Sequence, residues 1–545
     1  MKRGLQAVLF SERKIFFKAK AEKAIELKKI FWMESPEPVI TEGLNRRGWV
    51  QKLSITLDYK KTVLFDPDIP YNNRLCLSYN VKPTLLWLSF GIDASLLEEY
   101  QIINYINRAD FISKVGLYIS LKQLWWLNGV DSDTFFPRCY CLSNNDEMTR
   151  FIGDFKLTAA CGILKCVVRR HTKPLEGEDA YFSKREADTH GGYSLSVARR
   201  KRIVPACIIL EALEICKTSL GRVKREDTGN ESDEMTVDWN KFHSYYYQIV
   251  HDGADIENSA VYVDECSQVL HKIQMIAPQF LIDGERNIWI LKPGFSSRGR
   301  GITCMNRLEE IVKFVEMENN PTNPAHWIIQ KYIERPLLIY GTKVDMRQFF
   351  LVSDWNPLTI WFYKQNYLRF STQPFTLESL DNSIHLCNRS IQKYLKNCPT
   401  RHPDLPENNI WSNTSLQEYL CMIGAEHAWE DVMVPGMKKA LIHTMRASQN
   451  NIKYRKNSFD FYGADFMFDE DFHPWLIEIN FRPDTTSPTA VTGGIFRDLL
   501  EDTLRVIIDR KNSPDCDTGE FELIFKKVNL NQAKKCSDVD NGNML

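Results

Sequence analysis

The spacing of apolar positions changes several times along the chain, and each change marks an element. Residues 11–30 read as a Lys-rich amphipathic helix, with Ile15, Ala19, Ile25 and Leu27 set among charges. Residues 60–200 mix strand and helix patterns rich in aromatics. There, FFPRCY at 135–140 precedes FIGDFKLTAACGILKCVVRR, whose apolar residues recur at helical spacing. From Ser219 to Asp238 the chain is polar and aperiodic, which predicts a mobile insertion beside a domain boundary. Helix returns from His243 to Ile276, and strands with short connections follow. From about Asn512 to Leu545 the chain is polar apart from an apolar island at Phe521 to Phe525, which predicts a disordered or loosely docked tail.

Composition narrows the class without naming a chemistry. The 545 residues are enough for roughly three or four domains. Hydrophobic residues at 43% and charged residues at 26% are ordinary for a globular chain. Lys plus Arg (69) nearly cancels Asp plus Glu (70), which argues against a general nucleic-acid binder, so an acidic partner needs a focused site. The 14 cysteines contain no C-x-x-C pair, and reduced buried thiols are the simple reading. The N-terminus is a poor signal peptide, and the most apolar window, Thr84 to Ile92, is too short to span a bilayer. These features predict a cytoplasmic protein without membrane insertion.

Candidate chemistry begins at Asn287 to Ile302, NIWILKPGFSSRGRGI. Ile288 to Leu291 predict a strand buried on both faces, ending at Lys292 and Pro293 before a cationic glycine loop. Gly294, Gly299 and Gly301 permit close backbone approach to phosphate oxygens, and Arg298 and Arg300 add positive charge. The loop fits neither G-x-x-x-x-G-K-[ST] nor G-x-G-x-x-G, and alone it is as readily a plain surface turn.

Three further segments supply partners for it. Trp327 to Ile329 predict a strand followed by Gln330, Lys331, Tyr332 and Ile333, whose backbone and apolar faces could frame an adenine ring. In GTKVDMRQFFLV, strand alternation sets Lys343, Asp345 and Arg347 on one face and Val344 and Met346 on the other. Three ionisable side chains together are costly to bury unless they pair or meet a ligand. Arg369 follows on another strand-like segment. In FDFYGADFMFDEDFHPWLIEINFRP, a hairpin turning at Asp469 to His473 brings Asp465 beside Glu478 and Asn480, an oxygen set suited to Mg²⁺.

In this order the segments resemble the ATP-grasp arrangement of the tubulin tyrosine ligase-like family, over roughly residues 280 to 500. The resemblance implies an α/β (α+β) fold of ATP-grasp type with an N-terminal α/β domain. Lys292, Arg298 and Gly299 would hold phosphates, Gln330, Lys331, Tyr332 and Ile333 the adenine, and Lys343 and Asp345 the nucleotide. Asp465, Glu478 and Asn480 would carry Mg²⁺, with Arg347 and Arg369 steadying the transferred group. Within the family, IHLCNRSIQKYL at 384–395 looks like the glycylase branch, since glutamylating members more often have threonine where Cys387 stands. FFPRCYCL at 135–142 and FIGDFKLTAA at 151–160 also look like glycylases that initiate chains. One departure is Phe481, Arg482 and Pro483, where the family usually has a small residue, serine and proline after the asparagine.

The implied activity is ATP-dependent joining of glycine to glutamate γ-carboxylates in acidic tubulin tails, through an acyl phosphate, by a monomer. It would act on the cytoskeleton, and by resemblance alone in cilia or flagella. Arg169-Arg170-His171 and Arg199-Arg200-Lys201-Arg202 are candidate tail contacts, though such runs are more often solvated loops. The implied divisions are a segment at 1–60, an N-terminal α/β domain at 61–218, and an insertion at 219–238. A central ATP-grasp domain at 239–335, a C-terminal one at 336–511, and a tail at 512–545 complete them. Glutamate or tyrosine ligation, or a non-catalytic microtubule adaptor, are the alternatives. No protein kinase is implied, because H-R-D and D-F-G are absent.

Overall fold

Two sheets built from distant parts of the chain carry the predicted site. The computed structural model describes residues 15–16, 18–52, 81–88, 97–104, 110–172, 202–224, 237–294, 299–318, 327–481, 483 and 489–527, and mixes helix with sheet throughout. In the larger, 11-stranded sheet the long strand Thr342–Trp355 lies between Leu358–Phe370 and Ser458–Phe468, antiparallel to both. Pro474–Phe481 pairs with the outer part of Ser458–Phe468 and completes the predicted acidic hairpin. The smaller sheet places Trp289–Pro293 between Trp327–Lys331 and Thr303–Met305, with Cys139–Cys141 on the far edge.

The alternation read from GTKVDMRQFFLV holds. Val344, Met346, Phe350 and Val352 sink into the main core beneath the helix Val434–Ser448, while Phe349 and Leu351 enter a second core on the other side. A strand paired on both sides with apolar cores above and below cannot be a solvated edge. The run Ile288 to Leu291 is buried on both faces, as its continuous hydrophobicity predicts.

The helix Asn145–His171 links the layers. Asn144 caps it by accepting from the amides of Asp146 and Glu147, and Asp146 and Glu147 in the first turn suit the helix dipole. Phe151 and Phe155 pack against Trp289 and Leu291 of the smaller sheet. Further along, Ala159, Ile163 and Cys166 pack in a core shared with the helices Cys207–Lys224, Trp239–Val250 and Val263–Gln274.

Several boundaries differ from the sequence expectation. Ile30–Met33 lies between Val50–Gln51 and Leu85–Trp87 in parallel pairing, so described strands from both sides of the expected boundary share one sheet. This N-terminal layer joins the C-terminal sheet through Ile102–Asn104, which runs parallel to Ser458 and Phe459. Arg47 reinforces the junction, bonding Glu501 at 2.8 Å and both oxygens of Asp509 at 2.7–2.9 Å. Non-local strand pairing of this kind leaves no periodic mark in the sequence.

The Lys-rich segment is helical over 18–26, but its inward stripe is Ala21 and Ala24, while Ile15 and Leu27 are exposed. Ser219 to Lys224 continue a helix, so the insertion expected from Ser219 does not begin there, and 225–236 lie outside the described residues. The tail expectation fails at Phe521–Lys526, which pairs with Thr359 to Tyr363 and buries Phe521 against Tyr363. Residues 528–545 lie outside the described residues. Among the described residues no helix is long and apolar enough to cross a membrane.

Candidate functional site

Between the two sheets lies a cleft lined by residues of both. Lys292, Gln330 to Ile333, Lys343, Asp345, Asp465 and Glu478 line it, so segments nearly two hundred residues apart converge. One wall is apolar through Ile290, Ile302, Tyr332 and Leu386. Ile333, Met467 and Ile477 form another apolar surface. Such a slot, with the backbone of 330–333 at its edge, suits a flat heteroaromatic ring.

The strand-end residues do different work from one another. Gln330 accepts from Lys292 Nζ at 2.6 Å and donates to the Pro137 carbonyl at 3.0 Å, so its side chain aims the lysine. Burial lowers the Lys292 ammonium to about 8 despite the nearby Glu478. The Lys331 side chain is wholly buried and bonds Glu334 at 2.6 Å and the Ile288 carbonyl at 3.0 Å. Glu334 in turn accepts from the amides of Arg286 and Ile288. Lys331 is therefore a clamp within the small sheet, and only its backbone can serve a ligand. Tyr332 donates to His385 Nδ1 at 2.7 Å, and His385 Nε2 donates to the Ser379 carbonyl at 2.7 Å. Burial lowers the His385 pKa, in keeping with this neutral tautomer.

A charged lattice fills the opposite side. Arg369 Nε donates to Asp345 at 2.5 Å, and its Nη2 lies 2.9 Å from Asp465. Arg347 Nε stands 2.6 Å from Asp465 Oδ1. Among the described residues, however, neither that nitrogen nor that oxygen has an aligned hydrogen bond. That approach is Coulombic, the pair's hydrogen bond running instead from Arg347 Nη2 to Asp465 Oδ2 at 3.3 Å, and Asp465 Oδ1 keeps a lone pair for a cation. Gly463 makes the arrangement possible, since a Cβ there would fall 2.9 Å from Arg347 Cδ and Nη1.

The hairpin register sets Asp465 opposite Glu478 and Gly463 opposite Asn480. A bulge between Asp465 and Phe466 leaves Ile477 without a strand partner, and both Ile477 and Glu478 then line the cleft. Regular alternation would have sent them to opposite faces. Asn480 Nδ2 donates to Glu478 at 3.0 Å and to Asp465 at 3.3 Å. Burial pushes the Asp465 carboxyl up to about 6 against the pull of Arg347 and Arg369. Burial also opposes charge on Glu478, but Lys114, Asn480 and Lys292 outweigh it and bring that carboxyl down to about 2. Among the described residues no three His, Cys, Asp or Glu side chains form a metal cluster. The donors here are two carboxylates and, with the Asn480 amide turned so that its oxygen rather than Nδ2 faces them, an amide oxygen, a set that fits a hard divalent cation, and the unaligned Asp465 oxygen supports that fit.

Arg298 and Arg482 lie outside the described residues. Gly299 adopts φ +73°, and a Cβ there would come 2.6 Å from Ile391, so this glycine lies against the segment beginning at Asn388. Cys387 lines the cleft 3.8 Å from Lys343 Nζ, and burial raises its thiol to about 11.

Lys114, absent from the sequence prediction, opens the helix Lys114–Lys122 and reaches Glu478 at 3.8 Å. A lysine in a first helical turn opposes the helix dipole, and that local mismatch is the signal that could have flagged it. The basic run at 169–171 is taken up structurally. Arg169 bonds Glu285 at 2.6 and 2.9 Å, Arg170 the carbonyls of Ala254 and Ile249, and His171 Ser259. Of the second run, 199–201 lie outside the described residues.

Comparison with known proteins adds an independent line. Residues 235–516 match the model of the tubulin-tyrosine ligase family. Tubulin monoglycylase TTLL3 of Mus musculus is 42% identical, over 94% of this chain and 60% of the relative. Tubulin monoglycylase TTLL3 of Danio rerio is 38% identical, over 94% of this chain and 70% of the relative. Protein monoglycylase TTLL8 of Homo sapiens is 40% identical, over 93% of this chain and 63% of the relative. The chain thus spans between 60% and 66% of the mouse and human TTLL3 relatives' length.

Proposed function

Since this chain belongs to the tubulin-tyrosine ligase family, we propose that it is an ATP-dependent ligase joining glycine to glutamate γ-carboxylates in tubulin tails. The observation that carries the reading is the meeting of Lys292 with Asp465 and Glu478 in one cleft between the two sheets. The glycine preference rests on the monoglycylase relatives and on Cys387 in the HLCN segment.

A carboxylate is a poor electrophile toward an amine, so the acceptor must first be activated. In this reading the γ-carboxylate attacks the γ-phosphate of ATP, ADP leaves, and the acyl phosphate is then attacked by glycine's amine with loss of phosphate and a proton. Ile290, Tyr332, Leu386, Met467 and Ile477 hold the base, and the backbone of 330–333 reads its edge. Lys292, aimed by Gln330, and Lys343 supply fixed positive potential, with Lys114 beside Glu478 at the phosphate end. Asp465, Glu478 and Asn480 would hold Mg²⁺, which when bound offsets charge between the β- and γ-phosphates. Arg347 and Arg369, locked by Asp345 and Asp465, are preorganised toward the transferred phosphoryl group. Positioning carries the rate, and no protein nucleophile is required.

Mass spectrometry of tubulin tails incubated with the protein, ATP, Mg²⁺ and each of glycine, glutamate and tyrosine tests this directly. Glycyl adducts alone are expected. Glutamyl or tyrosyl adducts would transfer the reading to another member activity, and no adduct with retained microtubule binding would support the adaptor.

A further inference from the structure

FFPRCYCL at 135–142 does not line the cleft, yet it runs from one sheet to the other. On the side of the acidic hairpin, the Leu476 amide donates to the Phe135 carbonyl at 2.8 Å and His473 Nε2 to the Thr134 carbonyl at 2.6 Å. Two residues further on, the Pro137 carbonyl accepts from Gln330, the residue that aims Lys292. Arg138 then offers its carbonyl to the Lys331 amide at 2.9 Å, and Cys139–Cys141 pairs with Ile328 to Gln330. Two residues span at most about 7 Å, so while these bonds hold, the hairpin and Gln330 have little slack between them. Gln279 satisfies backbone groups at the bend, accepting from the Arg138 amide at 2.8 Å and donating to the Phe136 carbonyl at 2.9 Å.

The Arg138 side chain anchors this bend from outside the cleft. Its Nε and Nη2 donate to the two oxygens of Asp154 at 2.6 and 3.2 Å, Nη2 also to Thr158 at 3.0 Å, and Nη1 to Asp283 at 2.9 Å. The guanidinium carbon lies 5.3 Å from the centroid of Trp289, which heads the strand carrying Lys292. A planar fork held by two carboxylates and a ring has one orientation, which a lysine could not reproduce. We infer that Arg138 is a positioning residue, fixing the Pro137 carbonyl that orients Gln330 and Lys292, and setting that lysine in register with the hairpin of Asp465 and Glu478. The inference rests on the nucleotide reading of the cleft for its effect on a ligand, and on the hydrogen bonds alone for the coupling of the two halves. Arg169, on the same helix, shows the contrast: it pairs with Glu285 but carries no main-chain group that reaches a cleft residue.

Two measurements on the full chain test this. In hydrogen exchange of the nucleotide-free protein, Arg138→Lys should speed exchange about tenfold or more in peptides covering 327–333 and 474–481 together, and leave the helix Val263–Gln274 unchanged. In titration of a fluorescent ATP analogue with Mg²⁺, Arg138→Lys should weaken binding about tenfold. Gln330→Met should weaken it at least as much, and the double variant no further than Gln330→Met alone, because both act on Lys292 by one route. Thr158→Val removes one bond of the clamp and should give a smaller loss of the same kind, which guards against misfolding of Arg138→Lys. Arg169→Lys makes the same exchange of side chains at the neighbouring ion pair and should change neither readout. Additive losses in the double variant, faster exchange in one peptide without the other, or an inert Thr158→Val would overturn the assignment. Faster exchange in both peptides in a chain that binds no nucleotide sinks the nucleotide reading and keeps the coupling. Glycine ligation with wild-type exchange and wild-type nucleotide affinity in Arg138→Lys does the reverse.

Discussion

Asp465 and Glu478 face each other across the hairpin, yet one carboxyl is raised to about 6 and the other lowered to about 2. Two carboxylates this close resist ionising together, and burial makes Asp465 the one that yields despite Arg347 and Arg369 beside it. Lys114 and Lys292 favour charge on Glu478, whereas Asp465 is the more strongly penalised by burial. A divalent cation in their place would relieve the same repulsion, which links the electrostatics of the site to its proposed ligand.

Gly463 is where packing and chemistry meet most tightly. In Gly463→Ala the new methyl would collide with Arg347, and the guanidinium would have to leave Asp465. A loss of about 1–3 kcal/mol in urea denaturation is expected, as for overpacking elsewhere. The fall in kcat should exceed any change in the KM for ATP. Wild-type kcat in the variant would show that Arg347 does not need this position.

Lys331 carries a different expectation from its neighbours. Lys331→Met leaves Glu334 charged in a dry site and should cost about 3–5 kcal/mol, measured by denaturant titration. A stable variant with a weakened ATP KM would instead make the lysine a nucleotide contact.

Lys292 makes nucleotide affinity and fold stability move oppositely with pH. Its folded pKa of about 8 lies below the ordinary lysine value of 10.5. The burial penalty on the ammonium is therefore present in full below about pH 8 and is relieved as pH rises toward the unfolded value. Phosphate binding needs the ammonium, so the KM for ATP should rise above about pH 8, a rise that Lys292→Met should abolish while raising KM at every pH. A flat wild-type profile up to pH 9.5, about 1.5 units beyond the folded value, would contradict this.

Much of the site was legible because strand alternation and hairpin geometry are local properties. Lys343, Asp345 and Arg347 on one face, and Asp465 beside Glu478, follow from a period of two and a short turn. The bulge at Ile477 was hidden, since one extra residue in a strand leaves no compositional trace. The pairing of the Lys331 side chain was hidden, because sequence does not show that Glu334, three residues on, turns inward with it. The junction of Ile102–Asn104 with Ser458 was equally invisible, as it joins segments more than three hundred residues apart.

The most direct test of the account compares the wild-type chain with Glu478→Gln in one assay, tail mass spectrometry with ATP, Mg²⁺ and glycine. The wild type should add glycyl residues to tail glutamates, and Glu478→Gln should add none while still binding tubulin. Glycine incorporation by Glu478→Gln at the wild-type rate would contradict the assigned site.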